Sequence, residues 1–296
     1  MASDRSQPRI AQHSHFTATG GRHHARPIAA VSAVIKLSSH APRKFWEIPV
    51  LFEDECLLAL DKPGGLFTSP ARYDPQRPNL MKLLHAAIAG GKPWARERGL
   101  DYLMNAHRLD FETSGVILLA KSRPVLIALA NLFGSEKPLR QFAALVQGTP
   151  TEEKFEVDAR LAPHPVRSGL MRVDPKNGKR ARTAFEVLEK FSGWTLLRCQ
   201  PFTDRSHQIR VHLRHAGLPV AGDELYGGKP LWLSRLKPDY RLKRGHEERP
   251  LISRAALHAE QLTLPHPVTG ETLTITAPWP KDLKVAVKYL RQFAVL

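Results

Sequence analysis

The sequence is short of cysteine, of acidic residues and of long apolar runs, and each shortage closes off a class of protein. Only Cys56 and Cys199 occur in 296 residues. They lie in separate strand-like runs, so a disulfide framework is not the basis of the fold, and buried inert thiols in a reducing compartment are expected. No apolar stretch approaches the roughly 20 residues that a membrane helix needs. A cytoplasmic protein with no membrane partner is the expectation. Asp and Glu number 28 against 44 Lys and Arg, giving a formal net charge of +16 and a pI near 10.1. So large an imbalance points to a polyanionic partner, nucleic acid ahead of an anionic membrane surface. No serine sits in a G-x-S-x-G elbow, so a hydrolase built on Ser114 or Ser206 has no motif behind it and leaves the charge unexplained.

What is present is enough apolar residue, 42% of the chain, to form a core. Residues 1–44 read as a separate tail, rich in Ser, Pro, Gly, His and Arg, with Asp4 as the sole acid against seven bases. Such a segment buries too little to fold alone. The His13/His15 and His23/His24 pairs have no Cys or carboxylate cluster beside them, so no metal site is expected. An Arg-rich, acid-poor start also has the composition of an organelle transit peptide. The basicity of the remaining chain favours a disordered arm that helps hold nucleic acid. Residues 45–296 are read as one folded domain, beginning near Trp46.

Within that domain, Val50-Leu51-Phe52 and Cys56-Leu57-Leu58-Ala59-Leu60 read as strands, the second running into a Pro-Gly-Gly turn. Asn79 is placed to cap a helix that Gly90-Gly91 ends. Ser122 is placed to cap another, with Val125, Leu129, Leu132 and Phe133 on its apolar face and Gly134 at its end. Phe142 to Val146 reads as a strand. An Asn177-Gly178 hairpin signal precedes two strand-like runs, Thr183–Leu188 and Trp194–Cys199. Ser206 to Ala216 has helical periodicity, with Ile209, Leu213 and Ala216 on one face and His207, Arg210 and Arg214 on the other. Lys229 to Arg249 is a basic surface insertion, and Leu283, Ala286, Val287 and Leu290 mark a C-terminal amphipathic helix. Strands outnumber helices, which predicts α+β with a mainly antiparallel central sheet and flanking helices.

The chemistry concentrates in His107-Arg108-Leu109-Asp110-Phe111-Glu112-Thr113-Ser114-Gly115, followed by the buried-strand pattern Val116-Ile117-Leu118-Leu119-Ala120. Alone, this is as compatible with a surface loop carrying an Arg–Asp pair as with a site. The stretch resembles the catalytic signature of the RluA-type pseudouridine synthases, and further blocks stand in the family's order across about residues 46 to 290. They are Leu60-Asp61-Lys62-Pro63-Gly64-Gly65-Leu66, Arg140-Gln141-Phe142-Ala143-Ala144-Leu145-Val146-Gln147-Gly148 and Arg205-Ser206-His207-Gln208-Ile209-Arg210-Val211-His212-Leu213. Gly222-Asp223-Glu224-Leu225-Tyr226-Gly227 and Leu257-His258-Ala259 with His266-Pro267 complete the set.

The resemblance implies isomerisation of uridine in ribosomal or transfer RNA by a monomer, with no metal or organic cofactor. It implies that Asp110 is the catalytic carboxylate, that Arg210 pairs with it, and that Phe142 stacks on the flipped base. Arg108 would fill the gap the base leaves, and Lys62, Arg205, His207 and Arg140 would contact RNA. Three positions depart from the family's pattern. Phe142 stands where tyrosine is usual, Arg140 where lysine is usual, and Asp204 replaces the glycine before the motif's arginine. The absent phenol hydroxyl makes a catalytically impaired RNA-binding protein of the same fold the alternative.

Overall fold

The computed structural model describes residues 33–39, 43–70, 76–242 and 245–296. The strands β1 (Val34–Ser39), β2 (Lys44–Glu53) and β3 (Leu57–Lys62) form an antiparallel meander. The helices α1 (Leu80–Ala89) and α2 (Pro93–Glu97) follow, then the short β4 (Met104–Asn105), β5 (Ser114–Ala120) and α3 (Arg123–Gly134). Next come β6 (Leu139–Gln147), β7 (Lys154–Asp158), β8 (Leu161–Pro163), β9 (Met171–Val173), β10 (Arg182–Phe191) and β11 (Trp194–Pro201). The helix α4 (Gln208–His215), a 3-10 turn (Glu224–Tyr226), α5 (Leu233–Leu236), β12 (Leu257–Pro265), β13 (Thr272–Thr276) and α6 (Lys281–Phe293) complete the chain.

The main sheet runs in the order β1-β2-β3-β5-β12-β6-β11-β10-β7, with β4 on β5 and β13 on β12, while β8 and β9 make a separate ribbon. Every pairing between these named strands is antiparallel except β5 with β12, where Ser114 faces His258 and Gly115 faces Ala259. The α+β, mainly antiparallel expectation is met. That one parallel contact explains Gly115. Its φ is 111°, and a Cβ there would lie 2.1 Å from the Ala259 carbonyl oxygen, so no other residue permits the two strands to meet.

The continuous apolar runs in β3 and β5 are buried on both faces. Leu58, Leu60, Ile117 and Leu119 enter the large core with α1 and α6, whereas Leu57, Ala59, Val116, Leu118 and Ala120 enter a smaller one with α3. As the apolar periodicity requires, Leu283, Ala286, Val287 and Leu290 of α6 are all buried.

Four local expectations are corrected. The tail does not extend to residue 44, because β1 pairs along its whole length with β2 and buries Ile35 and Leu37; alternating apolar residues at 35 and 37 make a half-buried edge strand. Most of the expected tail, residues 1–32, lies outside the described residues. Asn177-Gly178 is no two-residue hairpin. There the Asp174 carboxylate accepts the amides of Lys176 and Asn177 at 3.1 and 3.0 Å, and its carbonyl accepts from Gly178 at 2.9 Å, closing a side-chain-led turn. The antiparallel β10–β11 pair is joined instead at Gly193, φ 76°. Ser122 sits at the N-cap of α3 without a side-chain bond, whereas Asn79 caps α1 by accepting from the Lys82 amide at 2.9 Å. Ala216 is exposed rather than core-facing, since α4 ends at His215 and the chain turns away at Gly217.

Candidate active site

The loop that carries Asp110 is fastened at three points. Asn105 Nδ2 donates to the His107 carbonyl at 2.9 Å, and the Leu118 amide donates to His107 Nε2 at 3.1 Å. Buried Thr68 accepts from the Leu109 amide at 3.1 Å and donates to the Leu109 carbonyl at 3.0 Å. His107 stacks on Phe133 with ring centroids 5.0 Å apart. Burial first, then the charge of Arg140, pushes its pKa down to about 4 against an opposing effect of Asp204. It is therefore a neutral acceptor for a strand amide, a structural part of the motif. Asp110 is left at the edge of a cavity, its side chain 19% exposed.

The facing wall comes from α4 and the loop before it. Gln208 Oε1 accepts from Thr203 Oγ1 at 2.7 Å and from the Arg205 amide at 3.1 Å, pinning residues 203–205. His207 at the helix start has φ 55° and ψ 20°, a left-handed conformation that a non-glycine residue holds only when its surroundings demand it. The demand is visible: His207 Nδ1 shares a hydrogen with Tyr226 Oη at 2.7 Å, and Nε2 lies 3.9 Å from Asp110 Oδ1. Burial pushes the His207 pKa down, the Arg210 and Arg108 charges add to that, and Asp110 and Asp223 oppose it.

Arg210 reaches Asp110, but not as its chief partner. Its Nε and Nη2 donate to the two carboxylate oxygens of Asp223, each at 2.6 Å, while the nitrogens nearest Asp110 and Glu112 are both 3.5 Å away. Asp223 is completely buried, and the Arg210 guanidinium lies 5.0 Å from the Tyr226 ring centroid. Burial disfavours the guanidinium charge, yet the Asp223 hydrogen bonds and the charges of Asp223, Asp110 and Glu112 outweigh it and hold its pKa above the ordinary value. The Glu112 pKa is raised as well, but there burial is the cause and the charge of Arg210 opposes it.

Between these walls lies a cavity of about 60 Å³ whose lining includes Arg108, Asp110, Arg140, Phe142, His207 and Arg210. Phe142 is 8% exposed on β6, between Cys199 of β11 and Ala259 of β12. Exposed Arg108 stands at the mouth. Arg205 is tethered by its Nε to the Arg180 carbonyl at 3.0 Å. Seven of the eight expected site residues thus line one cavity.

Lys62 is the exception. It is fully buried, and its ammonium donates to the Pro63 and Leu66 carbonyls at 2.8 and 2.7 Å. The expected contact with RNA is corrected to a clasp on the turn beneath the Asp110 loop. Burial brings its pKa down to about 7, with the charge of Asp110 opposing. The residues that sequence reasoning leaves without a role are Asp223 and Tyr226, although the block that contains them is visible. The Arg140–Asp204 ion pair, 2.9 Å, is a further contact not anticipated, since it joins two separate departures from the family's pattern.

The backbone resembles the human protein RNA Pseudouridylate Synthase Domain Containing 4 with a TM-score of 0.62, covering 82% of this chain and 92% of that one at 23% identity. The human Domain Containing 1 protein gives 0.60 at 22% identity over 81% and 87% of the two chains. In sequence, the chain is 38% identical over 245 residues to ribosomal large subunit pseudouridine synthase D of Nitrosomonas europaea, an alignment covering 82% of this chain and 65% of the relative. It is 35% identical over 244 residues to synthase C of Escherichia coli, covering 82% and 70%. The chain thus spans about two thirds of the length of these relatives. The RNA pseudouridylate synthase family model matches residues 57–215, a span that contains Asp110, Phe142 and Arg210, and with the shared fold and the relatives it shows that this chain belongs to that family.

Proposed function

We propose that the protein isomerises uridine to pseudouridine in RNA of the large ribosomal subunit, with Asp110 as the catalytic carboxylate. The observation that carries this is the single cavity in which a partly exposed Asp110 meets Arg210, with Phe142 on the adjoining wall. The relatives named for the large ribosomal subunit favour ribosomal RNA over transfer RNA as the substrate class. Isomerisation breaks the N1–C1′ bond and forms C5–C1′; C5 gives up a proton and N1 gains one. A stacked base must first be flipped out to reach such a site.

Each group has a place in that sequence. Asp110 stands where the sugar–base junction enters and acts on the sugar, by adding to C1′ or by taking a sugar proton. Arg210, locked by Asp223, supplies a fixed counter-charge beside it without being free to swing away. The Phe142 ring is a platform for the uracil, and Arg108 at the mouth fills the vacated stack. Excess cationic residues bind the phosphates and set affinity without reading the base.

Asp110→Asn tests the assignment. It should abolish pseudouridine formation in large-subunit RNA while leaving RNA affinity within a few-fold of wild type, because one carboxylate carries the chemistry and many phosphate contacts carry the binding. Mapping pseudouridine after chemical marking in RNA from cells with and without the protein would identify the position. Clear turnover by the purified variant would refute the role of Asp110. An inactive wild type restored by Phe142→Tyr would support the impaired-enzyme alternative.

A further inference from the structure

Arg140 stands two residues before Phe142 on β6, so the two side chains leave the same face of the strand, and both line the Asp110 cavity. Two of its guanidinium nitrogens are pinned. Nη1 lies 2.9 Å from Asp204 Oδ1, and Nη2 donates to the Thr203 carbonyl at 2.9 Å. The third, Nε–H, is buried and meets no acceptor among the described residues. Trp94 Nε1 and Arg198 Nε are the other buried nitrogens in that condition, and neither residue lines this cavity. Buried donors are ordinarily paired, so an orphan in a site calls for a partner that the protein itself does not supply.

We propose that Arg140 is a further catalytic residue, whose Nε–H donates to a carbonyl oxygen of the flipped uracil, and that Asp204 is the positioning residue that fixes it. This rests on the uridine-isomerising reading above. When N1–C1′ breaks, its electron pair leaves with the base, and negative charge spreads onto O2 and O4. A donor held in the wall beside one of those oxygens stabilises that charge with little reorganisation. The charge is discharged as C5 bonds to C1′, C5 loses its proton and N1 gains one, so Arg140 surrenders no proton, as a guanidinium requires. Lysine could not serve in the same way. An ammonium on a flexible stem rotates, whereas a planar guanidinium held at two nitrogens presents the third in one direction. Two departures from the family's pattern, Arg140 and Asp204, thus become one device. It sits beside the third, Phe142, whose ring offers the base no hydroxyl.

The test uses the full chain and a synthetic RNA hairpin carrying the uridine that wild type converts, with O2 or O4 replaced by sulfur in separate RNAs, sulfur being a weak acceptor. Wild type should slow about tenfold on one of the two thio RNAs. Arg140→Gln should lower kcat about 100-fold on the oxygen RNA, the scale for losing one such donor. Its KM should stay within threefold, and it should lose nothing further on the thio RNA. Asp204→Asn should lower kcat about tenfold, and the double variant should be no slower than Arg140→Gln. Should Arg140→Gln melt below the assay temperature, Asp204→Asn decides the matter, because its thio penalty must be smaller than that of wild type. Equal thio penalties in wild type and variant, or a loss confined to KM, would overturn the inference. Absence of turnover by wild type on every RNA, whatever the carbonyl, would instead overturn the proposed function and the inference with it.

Discussion

Replacing Asp223 with Asn separates the partner that matters for Arg210 from the one the family's motif brings to mind. Asp223 is wholly buried and holds Nε and Nη2 of a guanidinium whose side chain is 3% exposed, both bonds at 2.6 Å. Removing one member of a buried pair costs about 3–5 kcal/mol, because the other charge is left desolvated and uncompensated. Asp110 and Glu112, each 3.5 Å away, remain to draw the guanidinium, which places the expected loss at the lower end, about 3 kcal/mol. At about 2–4 °C per kcal/mol for a large domain, the melting temperature should fall by roughly 6–12 °C. Asp110→Asn, which loses a partly solvated carboxylate 3.5 Å from Arg210 and 3.9 Å from His207, should cost less than about 1 kcal/mol. The assay is thermal unfolding of both variants beside wild type, followed by kcat for Asp223→Asn. That kcat should drop at least tenfold as the guanidinium moves toward the Asp110 carboxylate. An Asp223→Asn protein melting within 2 °C of wild type, or an Asp110→Asn protein melting lower than it, would refute this ordering of partners.

Phe142→Tyr should be close to neutral in single-turnover rate, and Phe142→Leu should slow it by roughly 5- to 150-fold, the kinetic equivalent of about 1–3 kcal/mol of base stacking; equal effects would deny the ring its role as platform. Deleting residues 1–32 should weaken RNA binding chiefly at low salt, since the segment carries four arginines against one aspartate. Deleting residues 1–44 should in addition lower the melting temperature, because Ile35 and Leu37 leave the core at about 1.5–3 kcal/mol each; identical melting of the two truncations would contradict that. Lys62 titrates near 7 in the fold against an ordinary value of 10.5. Between those values the unfolded chain binds the proton more readily, so stability should rise with pH across that window, the burial cost being fullest below 7. Lys62→Met should flatten the rise in melting temperature from pH 7 to 10, and an unchanged slope would mean that Lys62 titrates as an exposed lysine.

Patterns that depend on a single element are readable in the sequence. The Asn79 cap, the apolar face of α6 and the two-sided burial of β5 all follow from local spacing, and all stand in the structure. Where a competing local group intervenes, the signal misleads. Asn177-Gly178 is overruled by Asp174, which closes its own turn. Contacts between elements leave no periodic trace at all. Asp223 lies 13 residues beyond Arg210 on a different segment, and nothing in its spacing distinguishes it from a surface acid. Lys62 is misplaced for a related reason: a lysine is expected at the surface, and only the carbonyls of its own turn make its burial tolerable. The αL start of α4 is likewise fixed by Tyr226 and by proximity to Asp110, residues distant in sequence from His207.

The two-residue parallel contact at Gly115 and Ala259 bears on how the molecule comes into being. A nascent chain emerges in order, and β12 lies between β5 and β6 in the sheet although it is synthesised long after both. A ribosome that has released residues up to 256 has therefore supplied Asp110, Phe142 and Arg210, yet not the strand that fixes the first against the other two. The meander carrying Asp110 and the strands carrying Phe142 can each begin to pair, but the seam between them waits for β12. Closing a loop of some 140 residues is entropically slow compared with hairpin formation. Assembly of the cavity is therefore expected to wait for β12, so a chain that ends before that strand should lack activity on RNA.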